Sequence, residues 1–309
     1  MSSKLSVILP VYNGMPYLPH AVESILRQTY ADFTFIIVND GSTDGSEEYL
    51  RSLSDARIVL INQANQGQGT ARNLALRRCQ SEYVALMDSD DISMPDRFRS
   101  QLEYLDAHPE VVMLGTQIEF LVGAVAQRTF GAPTDHIEIE TRLLRGRAGL
   151  CNPSLMFRTA AAIACGGYPA GVIGEDTDFC LRMCEQGRAA NLDRILFQYR
   201  LHAAQISQAR SKELIRANQY AAYRAICRRQ GLPEQELDTF LRNASLIDHW
   251  RWSVEAWELI QYRTGRIQMA SDQTVRGLLR LAMLGMCRPF STIRRVAQTI
   301  GPLLSGHVN

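Results

Sequence analysis

Four short runs rich in Val, Ile and Leu, at Leu5 to Leu9, Phe33 to Val38, Arg57 to Ile61 and Tyr83 to Met87, alternate with stretches of helical spacing. Short β-rich apolar runs read as buried strands. The intervening stretches, Pro16 to Gln28, Asp44 to Leu53 and Gly69 to Cys79, read as helices, the first carrying Ala21, Ile25 and Leu26 at helical spacing. Strands joined by crossover helices make right-handed βαβ units, so the expected class is α/β with a mostly parallel, Rossmann-like sheet flanked by helices. Ligands of such sheets bind beyond the carboxyl ends of the strands. The polar segments after the four runs are therefore the candidate site: Pro10-Val11-Tyr12-Asn13-Gly14, Asn39 to Gly45, Asn65 to Asn73, and Asp88-Ser89-Asp90-Asp91.

The last of these ends an apolar run in three carboxylates within four residues. Like charges at the tip of a buried strand are costly unless a cation sits among them. Asp88 and Asp90, two apart on an extended chain, fall on the same side. Hard cations such as magnesium or manganese take oxygen ligands, and one that also binds diphosphate needs only one or two protein carboxylates. The ordinary alternative is that these acids open a loop and cap the helix starting near Pro95.

Asp40 opens a Gly-Ser-Thr-Asp-Gly turn, where an Asx-turn or a helix cap is its usual work. At that strand end a carboxylate can instead accept the imide N–H of a uracil ring, and Tyr12 on the neighbouring loop can stack on the base. The Gly67 to Asn73 segment offers a helix N-terminus to a phosphate, with Arg72 in the first turn. It lacks the Gly-Lys-Ser/Thr ending of a P-loop and the Gly-x-Gly-x-x-Gly fingerprint, which counts against kinase and NAD chemistry. Gly174-Glu175-Asp176-Thr177-Asp178 starts a helix to Gln186, and acids there suit the helix dipole. One of them could serve as the general base for an acceptor hydroxyl, while Asp178 pairs with Arg182 four residues on. Tyr199-Arg200-Leu201-His202 ends a further strand, from Ile195. His202 is a candidate third metal ligand there, and Arg200 a candidate phosphate partner.

A formal charge of +1, from 33 basic and 32 acidic residues, excludes a global nucleic-acid footprint. Seven cysteines and no secretory signal before Leu5 predict reduced thiols and a cytoplasmic address. Cys180 and Cys184 share a helical face, but no second pair follows at zinc spacing, so they read as packing. From Lys212 the pattern turns helical, which predicts a catalytic domain over 1–210 and an α-helical region over 211–309. After Asp272 no acid follows, while Arg276, Arg280, Arg288, Arg294 and Arg295 accumulate among apolar residues. Val275, Leu278, Leu279, Ala282 and Met286 at helical spacing predict an amphipathic basic helix. It suits peripheral contact with the inner face of the cell membrane, or packing on the catalytic domain or on a second copy of the chain in a homo-oligomer.

The order of these motifs resembles the family 2 glycosyltransferases, which are inverting enzymes of GT-A fold. The resemblance rests on Leu5 to Gly14, Ser24 to Tyr30, Asn39 to Asp44, Gly69 to Asn73, Met87 to Asp91, Gly166-Gly167-Tyr168, Glu175-Asp176 and Tyr199 to His202, in order across about residues 4 to 208. It implies a metal-dependent hexosyl- or N-acetylhexosaminyltransferase using manganese or magnesium. The sugar would pass from a nucleotide sugar, a UDP-sugar, to a glycan or lipid-linked acceptor in cell-surface polysaccharide biosynthesis. By the same resemblance Pro10, Tyr12 and Asp40 hold the uracil, and Arg72 lies near the base or diphosphate. Asp88 reaches the ribose or the metal, Asp90 the metal, and His202 completes that site. Asp176 is the base and Glu175 positions the acceptor or sugar. Asn39 departs from the family, which often has an Asp there. Two other readings remain open from the residues: a nucleotidyltransferase, and a non-catalytic glycan-assembly protein on a transferase scaffold.

Overall fold

The computed structural model describes residues 3–129, 131–169, 174–202, 205, 210–270 and 273–287. In chain order its N-terminal part runs β1 (Leu5–Val11), α1 (Leu18–Leu26), β2 (Phe33–Asp40), α2 (Ser46–Ser52), β3 (Ile58–Gln63), α3 (Gln68–Leu76), β4 (Tyr83–Leu86), β5 (Ile92–Ser93) and α4 (Arg97–Ala107). Then come β6 (Val111–Val122), β7 (Val125–Arg128), α5 (His136–Leu143), β8 (Met156–Arg158), α6 (Thr159–Ala164), α7 (Glu175–Cys184) and β9 (Arg188–Arg200). Among the described residues four helices follow: α8 (Ser211–Gln230), α9 (Leu237–Asn243), α10 (Leu246–Met269) and α11 (Thr274–Cys287).

The sheet order is β3-β2-β1-β4-β8-β6-β9-β5, with β7 paired to β6. The expected parallel arrangement occupies β3-β2-β1-β4. Beyond β4 the chain inserts β8, which runs antiparallel to both β4 and β6, and β5 pairs antiparallel with β9. The parallel strands end nearly flush, Val11 opposite Asn39 and Asn39 opposite Asn62, so their polar exits lie side by side. Every residue of β1 is buried because both faces of the sheet are covered. Alternation sends Ile8, Ile36, Val38, Val84 and Leu86 to the face covered by α3 and α7, where Ala71, Ala75, Phe179 and Leu181 meet them. Val7, Leu9, Phe35, Ile37 and Ala85 go to the other face, against Leu18, Val22 and Ile25 of α1 and Phe98 and Leu102 of α4.

The strand expected from Ile195 begins earlier, at Arg188, because Ala189, Ala190 and Asn191 are buried in sheet positions despite their weak strand signal. Asn191 is accommodated there by donating its amide to Pro133 O at 2.7 Å and Gly149 O at 3.0 Å. The chain divides into two compact units, each drawn from three segments. The first comprises Met1–Ile118, Gly131–Tyr199 and Ala217–Gln235; the second comprises Glu119–Phe130, Arg200–Arg216 and Glu236–Asn309.

In the second unit α10 begins with a capping box in which Ser245 and Asp248 exchange hydrogen bonds with each other's backbone. Trp252 and Ala256 pack with Ile215, Phe240 and Leu241 in a small core. Helices α10 and α11 cross where two glycines meet: a Cβ on Gly277 would stand 2.6 Å from Gly265 O. Only glycine permits so close an approach. Arg288, Arg294 and Arg295 of the basic tail lie outside the described residues.

Candidate active site

Within the first unit the four loops at the carboxyl ends of β1 to β4 come together as expected. The β1–α1 loop is tied to the β2–α2 loop and to Ser46 at the start of α2 by five hydrogen bonds, the longest from Thr43 Oγ1 to Asn13 Oδ1 at 3.5 Å. Asn13 N donates to Ser42 Oγ at 3.0 Å, Thr43 N to Asn13 Oδ1 at 2.8 Å, Gly14 N to Ser46 Oγ at 3.0 Å and Met15 N to Asp44 Oδ2 at 2.9 Å. Pro10 is buried at the end of β1, and Tyr12 stands 53% exposed on the loop after it.

Asp40 is buried and faces the next loop along. Its Oδ1 accepts from Gln63 Nε2 at 2.6 Å and Gln66 N at 2.9 Å, and its Oδ2 from Gly67 N at 2.9 Å. The carboxylate thus fixes the approach to α3, whose first turn presents Gln68 and Arg72. Asn39 ties neighbouring segments in the same manner, donating to Asn62 Oδ1 and accepting from Ser42 N.

Arg72 is the centre of the arrangement. Fully buried, it donates Nη2 to Asp88 Oδ1 at 2.9 Å and Nη1 to Asp176 Oδ1 at 2.6 Å, with Glu175 Oε1 at 3.4 Å. One guanidinium therefore joins the acidic tip of β4 to the acidic start of α7. Tyr168 lies under it at 5.3 Å and stacks on Phe179 of α7 at 4.1 Å. The neighbouring Asn73 clamps the Tyr168 backbone both ways, accepting from its N at 2.8 Å and donating to its O at 2.7 Å. Gly69 is needed in the same helix because a Cβ there would meet Pro169 O at 2.9 Å. Within the motif Gly69-Thr70-Ala71-Arg72-Asn73, Gly69, Arg72 and Asn73 thus meet the 166–169 turn and the acids of α7, while Ala71 packs in the core.

Three acids share one cation, and two of them, Asp88 and Glu175, hold their protons more tightly than usual. Burial pushes the Asp88 carboxyl up to about 6, with Asp90 and Asp176 adding to the rise and Arg72 opposing it. Burial likewise pushes Glu175 up to about 7, with the adjacent Asp176 adding to it. Burial alone would lower Arg72, but Asp176 and Asp88 outweigh it and hold the guanidinium above its ordinary value. Glu175 therefore keeps its proton in the folded state at pH values where the unfolded chain, near 4.5, has released it. The resulting penalty on folding is absent below about pH 4.5 and grows as pH rises to about 7, to no more than about 3 kcal/mol. Glu175→Gln should flatten the fall in melting temperature that the wild type shows across that interval; parallel curves for the two proteins would refute this.

Helix α7 is braced from its other side. The Thr177 hydroxyl donates to Asn218 Oδ1 of α8 at 2.9 Å. The expected Asp178–Arg182 pair forms at 2.7 Å, and Arg224 and Arg228 of α8 approach the same buried carboxylate at 3.5 and 3.7 Å.

A second buried arginine had no signal in the sequence beyond its place after the acidic run. Arg97 donates Nη2 to Leu86 O at 2.6 Å, supporting β4 just before the acids, and sits between the Phe98 and Phe197 rings, 5.2 Å from each. Burial lowers it to about 9, against the pull of Cys151 and Asp91, which leaves it charged at neutral pH. Arg72 and Arg97 thus place two of the protein's own cations close to the strand tip.

Asp88 and Asp90 retain the donor chemistry for a divalent cation. A pair of carboxylates suits a hard ion, and the raised Asp88 carboxyl marks a place where added positive charge would be favourable. Among the described residues no three His, Cys, Asp or Glu side chains are grouped as a ready ligand set. Arg200 and His202 belong to the second unit. There Arg200 Nη1 donates to Gly123 O at 3.4 Å, and His202 N to Gln205 Oε1 at 3.4 Å.

Comparison with known proteins agrees with the motif order. The model of Glycosyl transferase family 2 matches residues 6–163. The putative glycosyltransferase EpsE of Bacillus subtilis is 30% identical over 241 residues, covering 74% of this chain and 84% of EpsE. The amylovoran biosynthesis glycosyltransferase AmsE of Erwinia amylovora is 28% identical over 218 residues, covering 69% and 82% respectively. Other relatives are much longer: the chain spans 15% of the length of an uncharacterized Rickettsia bellii glycosyltransferase, matched at 36% identity over 105 residues. Among solved structures, Staphylococcus aureus TarS 1-349 in complex with UDP-GlcNAc superposes with a TM-score of 0.58 at 18% identity, covering 99% of this chain and 93% of that one. The shared fold is GT-A.

Proposed function

The chain belongs to glycosyl transferase family 2, and from that premise we propose that it moves a hexosyl or N-acetylhexosaminyl group from a UDP-sugar to a glycan or lipid-linked acceptor, with inversion, in cell-surface polysaccharide biosynthesis. The observation that carries this reading is the gathering of Asp88, Glu175 and Asp176 around buried Arg72, which brings a leaving-group corner and a candidate base to one place. The names of AmsE and of the TarS complex support the polysaccharide context and the uridine donor.

In the reaction proposed, the acceptor hydroxyl gives its proton to the Asp176 carboxylate as its oxygen bonds to the anomeric carbon. The bond from that carbon to the diphosphate oxygen breaks on the opposite side, and UDP departs with the electron pair. A single displacement needs no glycosyl-enzyme carboxylate. Asp176 is half-exposed, as a base that must meet an incoming hydroxyl should be, whereas Glu175 behind it is largely buried and orients the acceptor or sugar. Arg72 keeps Asp176 and Asp88 at a constant separation. Pro10 and Tyr12 take the faces of the uracil, and Asp40 accepts its imide N–H through Oδ2, which carries one hydrogen bond where Oδ1 carries two. Asp88 and Asp90 would hold a manganese or magnesium ion, which supplies charge neutralisation for the departing diphosphate. His202 and Arg200 are assigned to the metal and diphosphate on their motif alone.

The test is UDP release from a panel of UDP-sugars with and without manganese. Metal-dependent release by the wild type, reduced at least about tenfold in Asp90→Ala, is the expected result for loss of an ion that stabilises a leaving group. Equal release by wild type and variant would overturn the assignment.

A further inference from the structure

Helix α11 is apolar on two sides, and only one of them is covered. Gly277, Leu281 and Leu284 are buried, at the crossing with Gly265 of α10 and beside it. On the other side Val275 is 70% exposed, Leu279 65% and Met283 47%, at a spacing of four that aligns them along the helix. Ala282 is exposed beside them. A surface stripe of this kind signals a further partner, since a helix with water on its outer side would ordinarily carry polar residues there.

The charges point to what that partner is. Arg276 is exposed at one border of the stripe, and Arg280 lies one turn further along the same border, its Nη1 on Gln261 Oε1 at 2.6 Å. From residue 273 to the end of the sequence there are five arginines and no acid. A second copy on this face would have to cover Arg276 beside a helix that supplies no carboxylate of its own to pair with it. An anionic phosphate surface complements both the stripe and its border. Among the described residues no helix is long and apolar enough to cross a bilayer, so the contact is one of lying on the surface.

We propose that α11 docks this chain on an anionic lipid surface, with Val275, Leu279 and Met283 entering the headgroup boundary and Arg276 and Arg280 facing the phosphates. Interfacial helices with an apolar face and a basic border bind in this way, their affinity scaling with apolar area and with anionic lipid content. The contact is independent of catalysis, and its test makes no use of a donor or an acceptor.

The experiment is flotation of the full chain with vesicles of phosphatidylcholine alone and of phosphatidylcholine with phosphatidylglycerol, alongside the mass of the protein in solution. The wild type should float with the anionic vesicles and about tenfold less with the neutral ones, and added salt should release it. Val275→Ser/Leu279→Ser/Met283→Ser changes only exposed positions and should lower anionic binding about tenfold or more; Arg276→Glu should weaken it while leaving the apolar stripe intact. Failure of the wild type to float, or equal flotation of wild type and both variants, would overturn the proposal. So would a wild-type dimer that the triple variant turns into a monomer with vesicle binding unchanged, since the stripe would then serve a second copy.

Discussion

Asp176→Asn is expected to slow sugar transfer by about 10² to 10⁴, the range for removing a positioned acid–base group. Donor binding should stay close to that of the wild type, because the substitution keeps an oxygen facing Arg72 and leaves the β4 tip untouched. The side chain is 41% exposed, so little packing is lost, and Arg72 retains Asp88 and Glu175 as partners. The measurement is kcat against donor KM with a thermal melt of the same sample. A fall confined to kcat supports the assignment of Asp176 as base; a kcat within about twofold of the wild type would remove it from that role.

Arg72→Ala carries the largest expected effect on stability. It strips the common cation from three carboxylates that are partly buried, and breaking a buried pairing costs about 3 to 5 kcal/mol. Against a typical total of about 5 to 15 kcal/mol, that loss brings the fold near its limit. Arg72→Lys separates charge from geometry: an ammonium keeps the sign but cannot fork between Asp88 and Asp176. The lysine variant should recover much of the denaturation midpoint while transfer stays impaired. If Arg72→Ala unfolds within about 1 kcal/mol of the wild type, the cluster does not hold the site together.

The parallel part of the sheet could be read from the sequence because each strand is short, apolar and closed by a polar loop, and because flush strand ends bring those loops together without any tertiary information. The loops that carry Asp40, Arg72 and Asp88 could be marked as candidate site segments for the same reason, while the Glu175-Asp176 pair stood out as acids at a helix start. Their partners were not legible. That Asp40 fastens the β3–α3 loop depends on backbone N–H groups of Gln66 and Gly67, which have no sequence signature. That Arg72 meets acids of α7 depends on the 166–169 turn docking on Asn73, a contact between segments 95 residues apart. The insertion of β8 between β4 and β6 escaped notice because three residues, Met156 to Arg158, are too few to show a period. Arg97 looks in sequence like any helix-surface arginine; its hydrogen bonds to Leu86 O and Gln101 Oε1 and the two phenyl rings around it reveal its work.

The Arg72 cluster also bears on the order in which the protein acquires its parts. Its link to Asp88 closes a segment of 16 residues, whereas its link to Asp176 closes one of 104. By loop entropy alone the longer closure costs about 1.7 kcal/mol more than the shorter. The parallel strands β1 to β4 and the Arg72–Asp88 contact draw only on residues up to Asp88, whereas the Arg72–Asp176 contact needs the chain as far as α7. The candidate base is thus the member of the cluster whose placement depends on the most distant part of the sequence.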